Sequence, residues 1–331
     1  MTIAQTEKAE INVNQNQSIW SQLSLPILAM IMLAVGATWR VVDVFVLNLG
    51  STWINILPSK LGPLLILLGL FYFYRRNQLD EVLGIHGDQF RIHVIVGFFV
   101  FAAMYLIVDI GASIIFASFI DPSYPLDFRI VSANLLLYSF VFFLINATFE
   151  ETLFRGLLQN GLRTRYSFKK AILFSSIVFG FWHVVWPIAN GSSLSEAGGI
   201  LFVSAFLGVL FGVYYERFSS RRTLTGPITA HTLVNFANEN FKVGPDPVVQ
   251  GPDFTFMEPQ LMLISLVLLI VTFSMLTIVM WKYRIEDVRT TKMRLRQHIR
   301  QLTGKLRVGG LNQVPKNNQM YPQIGGNDNC R

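Results

Sequence analysis

The chain has 331 residues, of which 52% are hydrophobic and only 14% charged, where soluble globular chains carry about 25% charged residues. This excludes a soluble globular protein and identifies an all-α, polytopic membrane protein. The net charge of +7 sits in connections between apolar runs and in one tail, so it predicts no nucleic-acid partner, and the single cysteine, Cys330, excludes a disulfide framework or a cysteine metal site.

Residues 1–18 are polar, lack helical periodicity and read as a disordered tail. The membrane domain is expected over 19–283, followed by a basic cytoplasmic tail over 284–331. Eight apolar spans are predicted, beginning with Trp20–Leu49, in which Arg40 and Asp43 stand three apart and can neutralise each other. The second, Trp53–Tyr74, ends in Arg75-Arg76. Residues 77–91 read as a short amphipathic segment at the interface. The third span, Ile92–Ile120, contains Asp109. The fourth, Ile130–Leu162, exceeds the ~20 residues needed to cross a bilayer. The fifth and sixth are Ala171–Ala189 and Ala197–Tyr215. The seventh, Thr223–Phe241, is the least apolar and opens on Gly226-Pro227, and the eighth is Leu261–Trp281. Residues 285–307 mix Lys and Arg with apolar residues, as a helix on anionic lipid would.

The basic residues alternate with this count. The connections after spans two, four and six carry Arg75, Arg76 and Arg91, then Arg163, Arg165, Lys169 and Lys170, then Arg217, Arg221 and Arg222. The tail from Lys282 carries eleven more, whereas the opposite connections hold only Lys60, Arg129 and Lys242. Both termini are therefore expected in the cytoplasm, with the chain in a plasma (inner) membrane.

Span four carries Glu150, Glu151 and Arg155 in the stretch NATFEETLFRGLLQNG. Ionised groups at such depth cost roughly 2.5–3.5 kcal/mol each on insertion scales, so they must pair or face a polar cavity. Glu151 and Arg155 are four apart and can pair; Glu150 is left as an unpaired carboxylate. At 1.5 Å per residue, Glu150 and His183 both lie about 20 Å from the basic ends of their helices. His231 lies about 13 Å from its own, a difference that a Gly-Pro kink can absorb, and Asn235 follows it on the same face. Taken singly, His183, His231 and Asn235 each read more readily as interhelical hydrogen-bond partners; the unpaired Glu150, which implies a task, and their compatible depths point to an intramembrane polar active site. Asp109, Arg40 and Asp43 read as structural, and His86, His93 and His298 as interfacial or solvated.

A carboxylate beside an imidazole can take a proton from water, and a second imidazole with a carboxamide can stabilise an oxyanion. No GxSxG elbow or HExxH helix is present. Glu150, His183 and His231 could instead hold zinc from three helices. Residue types alone leave that choice open.

The stretches EETLFR (Glu150–Arg155), FGFWH (Phe179–His183) and HTLVN (His231–Asn235) match, in order, EExxxR, FxxxH and HxxxN. They resemble the CPBP family, the CAAX-prenyl-protease and bacteriocin-processing group of intramembrane proteases. The resemblance implies a glutamate-type endopeptidase acting on membrane-associated, in some members prenylated, protein or peptide substrates. It makes Glu150 the base, His183 its partner, His231 and Asn235 the oxyanion site, and Glu151 and Arg155 their support, with no metal favoured and zinc the alternative. Cleavage is expected near the cytoplasmic side. The competing readings are a catalytically silent membrane adaptor of the same fold and a proton-coupled transporter using Glu150, Asp109 and the histidines.

Overall fold

Apolar runs of this length can satisfy their backbone polar groups within a bilayer only as helices, and helices are what they form. The computed structural model describes residues 18–49, 52–84, 90–131, 133–189, 191–244, 258–286 and 293. The chain divides into units 1–284 and 285–331. The N-terminal tail, His86, His298 and most of the basic tail lie outside the described residues.

Among the described residues seven helices are long and apolar enough to cross a membrane: α1 (Leu25–Leu47), α2 (Trp53–Tyr74), α4 (Phe90–Phe119), α5 (Ala133–Arg163), α6 (Phe168–Ala189), α7 (Leu194–Phe218) and α9 (Pro259–Lys282). The protein is an integral, multi-pass membrane protein. Besides the four-residue helix Ile19–Gln22, two shorter helices stand among the described residues. α3 (Arg76–Leu83) is the expected amphipathic segment, and α8 (Thr225–Asn240) is the expected seventh span. At 16 residues α8 is shorter than the seven long helices, and it begins inside the bundle. A side-chain carbon at Gly97, seven residues into α4, would stand only 2.5 Å from the Gly226 carbonyl oxygen, so the start of α8 lies about 10 Å below the start of α4.

Helix contacts are made close by small residues, as in lipid, where burial of apolar surface drives no association between helices. Gly180 and Gly208 bring α6 and α7 together, against Leu201 and Ser176 respectively. Among the described residues four π-helical stretches interrupt the helices, at Val42–Leu47, Tyr105–Ile110, Thr152–Gln159 and Tyr214–Phe218. The third follows Glu151 directly, and such widened turns are frequent at functional positions.

The two ends of the bundle differ. At one end Arg75 donates to the carbonyls of Trp20, Ser21 and Leu23, Pro26 abuts Gly161, and Arg163 pairs with Glu216 at 3.0 Å. A cavity of about 290 Å³ there is lined by Arg163, Arg217, Arg221 and Arg284. The basic ends of α2, α5, α7 and α9 thus share one face, as the alternation of charge predicts. At the other end a two-stranded antiparallel ribbon joins β1 (Phe128–Ile130) to β2 (Phe241–Val243), with Arg129 opposite Lys242. No strand was predicted there. Trp53 covers this end of α5 and α8, stacked on Phe142 and donating to Glu239 at 3.2 Å.

One placement differs from the sequence reading: His93 is buried and bonds through Nδ1 to the Tyr214 hydroxyl at 2.9 Å, so it is not solvated. α3 lies on the surface with its polar residues exposed and packs its apolar face inward. Val82 is 1% exposed, and its carbonyl lies where any side chain at residue 156 would have to go, so only Gly156 permits the contact. Gly84 ends the helix with φ +60°, a conformation open to glycine without strain, and abuts Leu224.

Candidate active site

Glu150, Glu151 and Arg155 come from the middle of α5, His183 from α6, and His231 and Asn235 from α8. The structure brings Glu150, His183 and His231 together. Glu150 Oε2 makes no hydrogen bond among the described residues and faces the Nε2 atoms of both His183 and His231, each at 3.6 Å. Its side chain is 2% exposed, that of His231 1%, and that of His183 27%.

Glu150 is not the unpaired carboxylate that the sequence suggested. Oε1 accepts a hydrogen bond from Lys60 Nζ at 2.6 Å and another from Trp182 Nε1 at 3.2 Å. Lys60, counted above as a residue of an outer connection, lies three residues into the helical segment Pro58–Tyr74 of α2. Its ammonium also stands 4.9 Å above the Trp182 ring, an added attraction for a cation partly removed from water. A buried carboxylate needs such a partner. Reasoning along the chain missed it because ninety residues separate the two; the one available signal was a lysine just inside an apolar run.

The ring orientations follow from their partners. His183 Nδ1 lies 2.8 Å from the Phe179 carbonyl, which can only accept, so Nδ1 carries the proton and Nε2 is turned to Glu150. His231 Nδ1 lies 2.8 Å from Glu151 Oε1. The same oxygen accepts from Arg155 at 3.1 Å, so Glu151 is a carboxylate and His231 Nδ1 is the donor. Glu151 therefore does more than pair with Arg155: it fixes the second imidazole. Arg155 in turn donates to the Gly208 carbonyl at 3.2 Å and lies 4.6 Å over the Phe179 ring. Phe179 is thus a platform for Arg155 and the carbonyl that orients His183, a reason for an aromatic at that place in the motif. Asn235 is half-buried one turn beyond His231. Asp109 is not part of the cluster and interacts electrostatically with Lys242 on β2.

Zinc fits this arrangement poorly. The ligands offered are one carboxylate and two imidazoles, but the carboxylate already holds an ammonium at 2.6 Å, which would repel a divalent ion on the same group. Among the described residues no three His, Cys, Asp or Glu side chains are placed to hold a metal ion.

Buried acids and imidazoles from three helices thus meet, held by dedicated partners, inside a helical membrane bundle. Residues 132–237 match the family model described as type II CAAX prenyl endopeptidase Rce1-like. The match takes in all three motifs and bears out their resemblance to the CPBP and CAAX protease group; Lys60 lies outside it. No curated protein and no solved structure matches the chain.

Proposed function

We propose that the protein is an intramembrane endopeptidase that hydrolyses peptide bonds of membrane-associated polypeptides with water activated by Glu150 and His183, and that its basic end faces the cytoplasm. The observation that carries this reading is the pair of Nε2 atoms at 3.6 Å on either side of a Glu150 oxygen that makes no hydrogen bond, while the other oxygen is tied to Lys60 and Trp182. Such a carboxylate is held still and has one oxygen left for proton transfer.

In this scheme Glu150 Oε2 takes a proton from a water aligned by His183 Nε2, and the hydroxide adds to the scissile carbonyl carbon. The oxyanion of the tetrahedral intermediate accepts from the Asn235 amide and from His231. For His231 to donate through Nε2 it must carry a proton on each nitrogen, and Glu151, bonded to Nδ1, balances that charge. Collapse breaks the C–N bond, and Glu150 returns its proton to the leaving amine. Lys60 holds the base and touches no reacting atom.

The test is cleavage of a peptide library by the purified protein in detergent, compared with Glu150→Gln and His183→Ala. The reading requires cleavage by the wild type and its loss in both variants. Unchanged cellular function in Glu150→Gln would instead favour the adaptor, and ion flux in proteoliposomes the transporter.

A further inference from the structure

The cavity at the basic end of the bundle, about 290 Å³, shares no residue with the acid–imidazole cluster. It is built where α5, α7 and α9 end and α6 begins. Arg163 closes α5, Phe168 opens α6, Glu216 and Arg217 lie in the last turn of α7, Arg221 follows that helix, and Arg284 follows α9. Four guanidinium groups thus surround one carboxylate. Glu216 Oε1 is taken by Arg163 at 3.0 Å. Arg217 and Arg221 make no ion pair and no side-chain hydrogen bond among the described residues, and Arg217 Nε is buried without a partner.

Aromatic rings hold these cations without neutralising them. Arg163 and Arg217 each stand 5.9 Å from the Phe168 ring, and Arg217 stands 5.5 Å from that of Trp281. Phe168 and Trp281 in turn pack with their centroids 5.3 Å apart. The backbone adds no anion site of its own, because the amides of Ser219 and Arg221 are bound to the carbonyls of Tyr214 and Tyr215, both at 2.8 Å. Ser220 and Arg221 have φ of +53° and +60°, a left-handed conformation strained for residues other than glycine. That turn folds Arg221 back to line the same cavity as Arg217.

Basic residues complement the dipoles of helix C-termini, but one such end offers only about half an elementary charge. The end of α7 alone is given both Arg217 and Arg221. Like charges around one cavity repel, and an anion seated among them turns that repulsion into attraction. Arginine forks match carboxylate and phosphate oxygens, and forks drawn from three helix ends suit a tetrahedral group better than a planar one. The volume is at the lower end of the roughly 300–1,000 Å³ of ligand pockets, enough for a phosphate and a small headgroup. Trp281 and Lys282, which end the apolar run of α9, are the residue types found at headgroup level.

We propose that this cavity is a phosphate-binding site, filled by the headgroup phosphate of an anionic phospholipid or by a free phosphate, which ties together the ends of α5, α7 and α9. The inference is independent of the endopeptidase reading.

The experiment is thermal unfolding of the full chain, purified in detergent and stripped of lipid, at constant ionic strength. Inorganic phosphate, phosphatidic acid and phosphatidylcholine are titrated separately. A ligand of the folded state raises Tm. Phosphatidic acid should raise it in the wild type and in Arg165→Gln, a change at an exposed arginine outside the cavity. In Arg217→Gln and Arg221→Gln the apparent affinity should fall about ten- to a hundredfold, as for a lost hydrogen bond to a charged group. Arg221 is exposed, so its variant keeps the test decisive should Arg217→Gln fold poorly. A response to phosphatidic acid alone assigns a lipid headgroup, and an equal response to inorganic phosphate assigns free phosphate. The proposal is overturned if neither raises Tm, if phosphatidylcholine does so equally, or if Arg165→Gln loses as much affinity as the cavity variants.

Discussion

Lys60 and Glu150 stand 2.6 Å apart at a depth where each charge depends on the other. Removing one partner of a buried pair costs about 3–5 kcal/mol, and the 12% exposure of Lys60 puts the expected loss for Lys60→Met near about 2–3 kcal/mol. The double variant Lys60→Met, Glu150→Gln should regain much of that loss, since no unmatched charge remains. Thermal unfolding in detergent of the two single variants and the double variant gives the coupling directly, and simple additivity would contradict a pair held for mutual compensation. Glu151 allows a finer test. Glu151→Gln preserves shape but removes the charge that balances a His231 protonated on both nitrogens. Where a carboxylate orients a catalytic imidazole, this exchange has cost about 10⁴ in rate. Here the two-sided hold on Glu151, from His231 and Arg155, predicts a loss of roughly two to four orders of magnitude in kcat, with little change in KM.

The element that most alters the reading of this bundle is α3. Its sequence RNQLDEVL has the amphipathic pattern of a surface helix, and nothing in that pattern says that Val82 is inserted against α5. What permits the insertion is a missing side chain elsewhere, at Gly156, inside the π-helical stretch that follows Glu150 and Glu151. Gly156→Ala must therefore push a backbone carbonyl, which has no rotamer to escape into. The expected cost is about 1–3 kcal/mol, as for other overpacked contacts, read as a lowered Tm. Because Gly156 lies on the basic side of the acids, the same variant should expose a cysteine at Val82→Cys to thiol reagents without abolishing cleavage. A variant that unfolded no earlier than the wild type would show that α3 is not seated in this contact.

Across the whole molecule the charges inside the bundle come in matched sets: Arg40 with Asp43, Lys60 with Glu150, and Arg155 with Glu151. Two of these sets were legible in the sequence because three- and four-residue spacings place their members on one helix face. The convergence of Glu150, His183 and His231 was legible as a common depth, counted from the basic ends of antiparallel spans. Lys60 was not, since only tertiary packing brings α2 to α5, and the charge count that fixed the alternation of the helices assigned it to a connection. The same packing hid the Glu151–His231 bond: Glu150 and Glu151 point about 100° apart on their helix, yet His231 lies between them and meets both. This matching bears on the question of metal. With two carboxylates already matched by Lys60 and Arg155 the cluster holds no excess of negative charge, so a divalent cation would bring two uncompensated charges into the membrane interior. The wild type should therefore purify without stoichiometric zinc and cleave equally well with and without chelator. Lys60→Met removes one positive charge and frees Glu150 Oε1, leaving a carboxylate and two imidazoles with no ammonium beside them. That variant should acquire zinc affinity absent from the wild type, measured as bound zinc per chain after dialysis against zinc. Bound zinc in the wild type, with cleavage lost on chelation, would instead make Glu150, His183 and His231 metal ligands and require Lys60 to move away from Glu150.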